Sequence, residues 1–275
     1  MRVNATGAEV WNSPDSASRL VYAAGTHPGR VRELNEDSSL VAPPVFLVAD
    51  GMGGNDRGDV ASRLVAEAFE PLATLPVVQA GDVEAAIVAA QHRVGALAGA
   101  AGGAPGTAAP GSTLVTATHV LQDGRGYWLL ANIGDSRAYV FTADGVLEQI
   151  SKDHSVVQEL IDAGQLTRDE AIAHPERHII TRAIGALSAS QADFSLVPAD
   201  PGTRLLLCSD GLTSELSDTA IGHILSERTP ADITVLTLVD AAVAAGGHDN
   251  VTVVVVDIAG DRPSEDTSPA PWERP

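Results

Sequence analysis

Four runs of mostly apolar residues in this chain each have an aspartate at one end, and any fold that buries the runs must find room for those carboxylates. Val45-Phe46-Leu47-Val48-Ala49 enters Asp50-Gly51, and Leu205-Leu206-Leu207-Cys208-Ser209 enters Asp210-Gly211. Leu129-Leu130-Ala131-Asn132-Ile133 enters Gly134-Asp135, while Asp249-Asn250 leads into Val251-Thr252-Val253-Val254-Val255-Val256. Short continuous apolar runs bounded by turn residues fit strands covered on both faces. Such a strand delivers its terminal side chain to a rigid, partly desolvated place, where an unpaired carboxylate is costly. Several carboxylates delivered together repel one another unless cations sit among them. Hard divalent ions such as Mg²⁺ or Mn²⁺, which take oxygen ligands in octahedral geometry, answer that need.

Asp-Gly is also the strongest two-residue hairpin signal, and Asp123-Gly124 and Asp144-Gly145, each between strand-like segments, read as plain turns. Asp50-Gly51 differs, because Met52-Gly53-Gly54 follows and leads to a helical stripe from Asp59. Asp210-Gly211 differs too, because a polar stretch at 213–218 follows instead of a returning strand. Arg32-Glu33-Leu34-Asn35-Glu36-Asp37 taken alone is a solvated charged loop. Lying just before the strand that ends at Asp50, it could supply a guanidinium for a phosphate and carboxylates for metal-bound water. Cys208 is the single cysteine, so no intrachain disulfide can form. It reads as a small buried residue rather than a nucleophile, and a reducing compartment is expected.

Strands are expected at 20–24, 45–49, 113–121, 126–133, 137–142, 204–209 and 250–258, and helices at 59–69, 83–97 and 231–245. Two short helices are expected at 155–163 and 167–173, joined through Gly164. The Gly, Ala and Pro run at 98–111 has no period and reads as a flexible loop. Residues 1–18 are expected to be a loose extension with Trp11 as an anchor, 19–260 one α+β domain, and 261–275 a disordered tail. The balance of 36 acidic against 17 basic residues gives a net charge of −19, which opposes binding to nucleic acid. No apolar run is long enough for a membrane span and no basic-then-apolar leader is present, so a soluble, cytoplasmic, free domain is expected.

The motifs occur in a telling order: Arg32…Asn35-Glu36-Asp37, Val48-Ala49-Asp50-Gly51-Met52-Gly53-Gly54, Gly111-Ser112-Thr113, Asn132-Ile133-Gly134-Asp135-Ser136-Arg137, Cys208-Ser209-Asp210-Gly211 and Asp249-Asn250-Val251-Thr252. In that order they resemble the metal-dependent protein serine/threonine phosphatases of type 2C, in their bacterial form, over nearly the whole chain. The resemblance implies a four-layer α-β-β-α sandwich, two packed and mainly antiparallel sheets flanked by helices. It implies two Mn²⁺ or Mg²⁺ ions, with Asp50 bridging them, the Gly51 carbonyl on the first, and Asp210 and Asp249 on the second. Glu36 and Asp37 would act through metal-bound water, Arg32 would hold the substrate phosphate, and Asp135 with Asp210 would form a third, weaker site. A metal-bridging hydroxide would attack phosphorus in phosphoserine or phosphothreonine, with no enzyme nucleophile.

Many eukaryotic members carry histidine after the Asp-Gly pair; this chain has Met52, as bacterial members commonly do, and a metal-bound water is the expected acid. Asn55 replaces a histidine frequent in bacterial relatives, and His248 beside Asp249 reads as a solvated loop residue. The segment 152–181 corresponds to the family's variable flap. Expected partners are phosphoproteins made by a bacterial Ser/Thr kinase, acted on by a monomer. A catalytically silent phosphoprotein-binding member is the alternative, disfavoured because every core acid is present. A phosphatase of a partner-switching anti-anti-sigma factor shares the fold and stays open. A two-metal nuclease shares the chemistry but not the charge.

Overall fold

The computed structural model describes residues 3–13, 19–53, 57–100, 109–185 and 190–259. In chain order its strands are β1 (Asn4–Ala5), β2 (Glu9–Asn12), β3 (Arg19–His27), β4 (Asp37–Ala42), β5 (Val45–Met52), β6 (Gly111–Ser112) and β7 (Leu114–Gln122). They continue with β8 (Arg125–Ile133), β9 (Arg137–Phe141), β10 (Leu147–Gln149), β11 (Asp193–Pro198), β12 (Arg204–Cys208) and β13 (Val251–Ala259). The helices are α1 (Gly58–Phe69), α2 (Ala80–Ala100), α3 (Val156–Asp162), α4 (Arg168–Ile172), α5 (Asp210–Thr213), α6 (Asp218–Ser226) and α7 (Ala231–Ala245).

All strand pairings are antiparallel. One sheet runs β1-β3-β13-β12-β9-β10, with β2 also on β3; the other runs β11-β8-β7-β5-β4, with β6 on β5. Side-chain alternation along each strand builds the layers. Val45, Leu47 and Ala49 of β5 face α1 and α2, whereas Phe46 and Val48 face the other sheet. In the first sheet Leu205 and Leu207 point into the inter-sheet layer, and Leu206 and Cys208 point to α6 and α7. Both faces of each central strand are therefore buried, which is why the runs are continuously apolar although the sheets are antiparallel. The expected α-β-β-α sandwich is the fold observed.

The expected loose extension contains order: β1 and β2 pair with β3, and Trp11 meets His119 edge to face at 5.9 Å. Backbone pairing along β3 and one aromatic contact offset the polar content of the segment. Helix α2 continues past the expected end at 97 to Ala100, and the far end of the expected 98–111 loop forms β6. Residues 101–108 and the expected tail at 261–275 lie outside the described residues. Strands β4 and β11 and helix α6 were not expected: β4 opens on Asp37-Ser38-Ser39, and β11 is an edge strand with alternating exposure.

A chain of edge-to-face rings crosses the inter-sheet layer, with Tyr22–Phe46 at 5.3 Å, Phe46–Trp128 at 5.8 Å and Trp128–His119 at 5.5 Å. Phe46 is completely buried. Phe46→Ala is expected to lower unfolding stability by about 3–5 kcal/mol, measured by urea denaturation. A loss below about 1 kcal/mol would show that this layer collapses around the cavity.

Candidate metal centre

The acidic strand ends meet where the two sheets come together. Asp37 begins β4 and is paired in register with Asp50 on β5 in the second sheet. Asp210 starts α5 just after β12, and Asp249 precedes β13, both in the first sheet. Asp135 sits on the turn by which the chain crosses from β8 in one sheet to β9 in the other. Asp50 feels the charges of Asp37, Asp210, Asp135 and Asp249 together. The structure thus gathers five of the acids singled out from the sequence.

Hydrogen bonds between the motifs hold them there. Ser209 Oγ donates to Asp37 Oδ2 at 2.7 Å and accepts from Thr252 N–H at 2.9 Å, so the Ser-Asp-Gly motif grips the Asn-Glu-Asp and Asp-Asn-Val-Thr motifs. Asn250 accepts from Glu36 N–H at 2.8 Å and donates to the carbonyls of Pro28 and Leu34, fixing the loop that carries Arg32. Thr113 Oγ1 accepts from Asp50 N–H at 2.9 Å and lies 2.7 Å from Ser136 Oγ. Glu36 Oε1 accepts from Gly58 N–H at 3.1 Å, at the start of α1. Glycine follows Asp50 and Asp210 for a steric reason. A Cβ at Gly51 would collide with the Gly58 carbonyl, and one at Gly211 with the Asn250 carbonyl.

The electrostatics state the cost of this gathering. Burial first, then neighbouring aspartates, raises Asp50 well above the usual carboxylate range. Asp37 is pushed up to about 7 by burial and by Asp210 and Asp249, against hydrogen bonds from Thr252 and Ser209 that pull it down. Asp135 reaches about 8 through burial and the charges of Asp210 and Asp153. Asp210 is raised by burial and Asp249, partly offset by a hydrogen bond from Asp50. Asp37 Oδ1 is buried without a hydrogen-bond partner. An all-oxygen set with excess negative charge and an unpaired buried oxygen fits a hard divalent cation. Among the described residues no three of His, Cys, Asp and Glu already stand at metal-ligand spacing, so the fit rests on donor chemistry and charge, not on a closed cage.

Arg32 forms an ion pair with Asp249 at 2.7 Å and lies in the field of Glu36 and Asp50. Gly51 N–H donates to the Glu36 carbonyl at 3.1 Å. Cys208 is fully buried and its thiol is pushed up to about 12 by burial, as expected for a residue without nucleophilic work. His248 turns to Glu215 at 2.7 Å. Asn55 lies outside the described residues. Sequence reasoning did not single out His178, whose charge acts on Asp210, or Asn250, Ser209 and Thr113 as individual supports. A groove of about 510 Å³ opens beside Asp135 and Asp210, between α3–α4 and α5–α6, with Arg168, Ile172, His178 and Asp218 among its walls.

A carboxylate whose folded value is raised above its unfolded value stabilises the fold below its ordinary value of about 4, and that stability is lost as pH rises through the folded value. The metal-free chain should therefore gain thermal stability as pH falls from about 8 to about 5, the window set by Asp37 and Asp135. Added Mn²⁺ should raise the melting temperature most at the upper end of that range. Melting curves in chelator and in Mn²⁺ test this, and a Mn²⁺ effect that grows toward acid pH would contradict it.

Residues 25–231 match the family described as protein phosphatase 2C. The chain is 40% identical over 241 residues to the serine/threonine protein phosphatase PstP of Mycobacterium tuberculosis, an alignment covering 87% of this chain and 45% of PstP. It thus spans about half the length of that relative. It is 34% identical over 242 residues to the serine/threonine phosphatase stp of Listeria monocytogenes, covering 84% of this chain and 93% of stp. The solved catalytic domain of PstP in complex with two manganese ions superposes with a TM-score of 0.77 at 36% identity, covering 87% of this chain and 98% of that one.

Proposed function

Because the chain belongs to the protein phosphatase 2C family, we propose that it hydrolyses phosphoserine and phosphothreonine in proteins, using Mn²⁺ or Mg²⁺ held among its strand-end carboxylates. The observation that carries this reading is the gathering of Asp37, Asp50, Asp135 and Asp210, each with its carboxyl raised by burial and by its neighbours. In the proposed assignment Asp50 would serve both ions and the Gly51 carbonyl the first, Asp210 and Asp249 would serve the second, and Glu36 and Asp37 would bind through water. Asp135 with Asp210 serves a third, weaker ion. When bound, such a pair of divalent ions supplies an activated water and positive charge facing the phosphoryl oxygens.

The chain's own groups orient the substrate. Arg32, paired with Asp249 at 2.7 Å, can turn its guanidinium to a phosphate ester while staying at the edge of the acidic cluster. Its half-exposed side chain leaves room for that turn. The groove between α3–α4 and α5–α6 offers a path for the peptide on either side of the phosphorylated residue. A bacterial Ser/Thr kinase is the proposed source of the substrates, and a cytoplasmic monomer the proposed form. Among the described residues no helix is long and apolar enough to cross a membrane.

Hydrolysis of an aryl phosphate and of a phosphothreonine peptide, each with Mn²⁺, Mg²⁺ or chelator, tests the proposal. Asp50→Asn and Asp210→Asn should each lower kcat by at least about a hundredfold, the scale of losing one preorganised electrostatic group. Metal-independent turnover, or full activity in both variants, would sink it. A folded, metal-binding yet inactive wild type would point to the silent phosphoprotein binder.

Two further variants separate binding from chemistry. Arg32→Ala should raise KM on the order of tenfold, the worth of one charge-assisted hydrogen bond, with less effect on kcat. An unchanged KM would remove Arg32 from the phosphate. Ile172→Ala and Arg168→Ala should shift kcat/KM for the peptide several-fold while leaving the aryl phosphate within about twofold, because loops on a rigid scaffold usually set specificity. Equal losses on both substrates would remove the groove from recognition.

A further inference from the structure

Gly134, the residue before Asp135, is held on both sides by one residue at the base of the flap. The backbone N–H of His154 donates to the Gly134 carbonyl at 2.9 Å. Its ring Nδ1 accepts from the Gly134 N–H at 3.0 Å. With Nδ1 accepting, the neutral ring carries its hydrogen on Nε2, which lies 3.1 Å from Asp193 Oδ2. Arg182 Nη1 binds the other oxygen of Asp193 at 2.8 Å, and Asp193 stands opposite Asn132 in the β11–β8 register. The His154 carbonyl accepts from Thr181 N–H at 2.8 Å, closing the base of the flap. His154 is 5% exposed, and Arg182 Nη1, besides binding Asp193, lies 3.1 Å from His154 Nε2, so Gly134, Asp193, Arg182 and Thr181 together define its surroundings.

The clamp has a specific load to bear. Asp135 faces the charge of Asp210, and a free turn would relieve that repulsion by swinging the carboxylate away. Gly134 has φ +106°, a conformation open to glycine at little cost, and a Cβ there would meet Thr113. Thr113 is thus one wall of the Gly134 peptide and His154 the other.

We infer that His154 is a positioning residue: through its two bonds to Gly134 it holds the Asp135 carboxylate near Asp210 and ties that placement to the base of the flap. The inference rests on the proposed role of Asp135 as an ion ligand, and its test separates the two. Bound Mn²⁺ is counted by the electron paramagnetic resonance of free Mn²⁺ for wild type, Asp135→Asn, His154→Leu and His154→Asn, with amide hydrogen exchange followed on the metal-free proteins.

His154→Leu should weaken the weakest Mn²⁺ about tenfold or more, as Asp135→Asn does, the usual effect of removing a partner behind a ligand. It should speed exchange at Gly134 at least tenfold while amides in the middle of β8 keep their protection. His154→Asn, whose Oδ1 can accept from Gly134 N–H in place of Nδ1, should restore both readouts. Wild-type Mn²⁺ affinity in His154→Leu beside a weakened Asp135→Asn would overturn the inference, as would unchanged Gly134 exchange or a failure of His154→Asn to rescue. If Asp135→Asn binds Mn²⁺ like wild type, the ligand role of Asp135 falls, and Gly134 exchange still decides whether His154 holds the turn.

Discussion

Repulsion among carboxylates that the fold does not allow to separate is the constraint on which the rest of this structure depends. Asp37, Asp50, Asp135 and Asp210 would each lower their energy by moving apart, and each is raised by its surroundings. What prevents their separation is a set of hydrogen bonds that run from one motif to the next rather than within a motif. Ser209 holds Asp37, Thr113 holds the backbone of Asp50, and Asn250 holds the Glu36 backbone. A cation placed in such a cluster would remove the repulsion that the core sustains.

The scaffold that bears this load is legible in the apolar runs. Residues 45–49 alternate between two buried layers, odd positions toward α1 and α2 and even positions toward the opposite sheet. Neither face can carry a polar side chain cheaply, so the aspartate is displaced to the strand end. The central strands, the helix α7 and the helical stripe of α1 follow from residue type and period. Elements at the margins do not. Strand β4 opens on polar residues, with Asp37 registered against Asp50 at the site and Ser38 bonded to Ser62 of α1, and β11 alternates because one of its faces meets solvent.

For the site, residue identity indicated which carboxylates the fold brings together, since Asp50-Gly51 and Asp210-Gly211 lack the returning strand that a plain Asp-Gly turn needs. The supporting residues are less visible. Ser209, Thr113 and His154 are unremarkable in one dimension, and their importance comes from partners 172, 63 and 20 positions away in the chain. His178 comes near Asp210 only because both line the groove beside α5, which nothing in its local sequence announces.

The sequence by itself determined the buried strands, their acidic ends, the glycines after Asp50 and Asp210, and the family whose motifs these are, because each depends on side-chain chemistry and short spacings. Tertiary structure alone decided that the ends of two different sheets meet, that Asp135 bridges them on the β8–β9 crossing, and that His154 holds the turn behind it. Those facts depend on strand order and on contacts between distant segments, and the period of a side-chain pattern carries no information about which strand lies beside which.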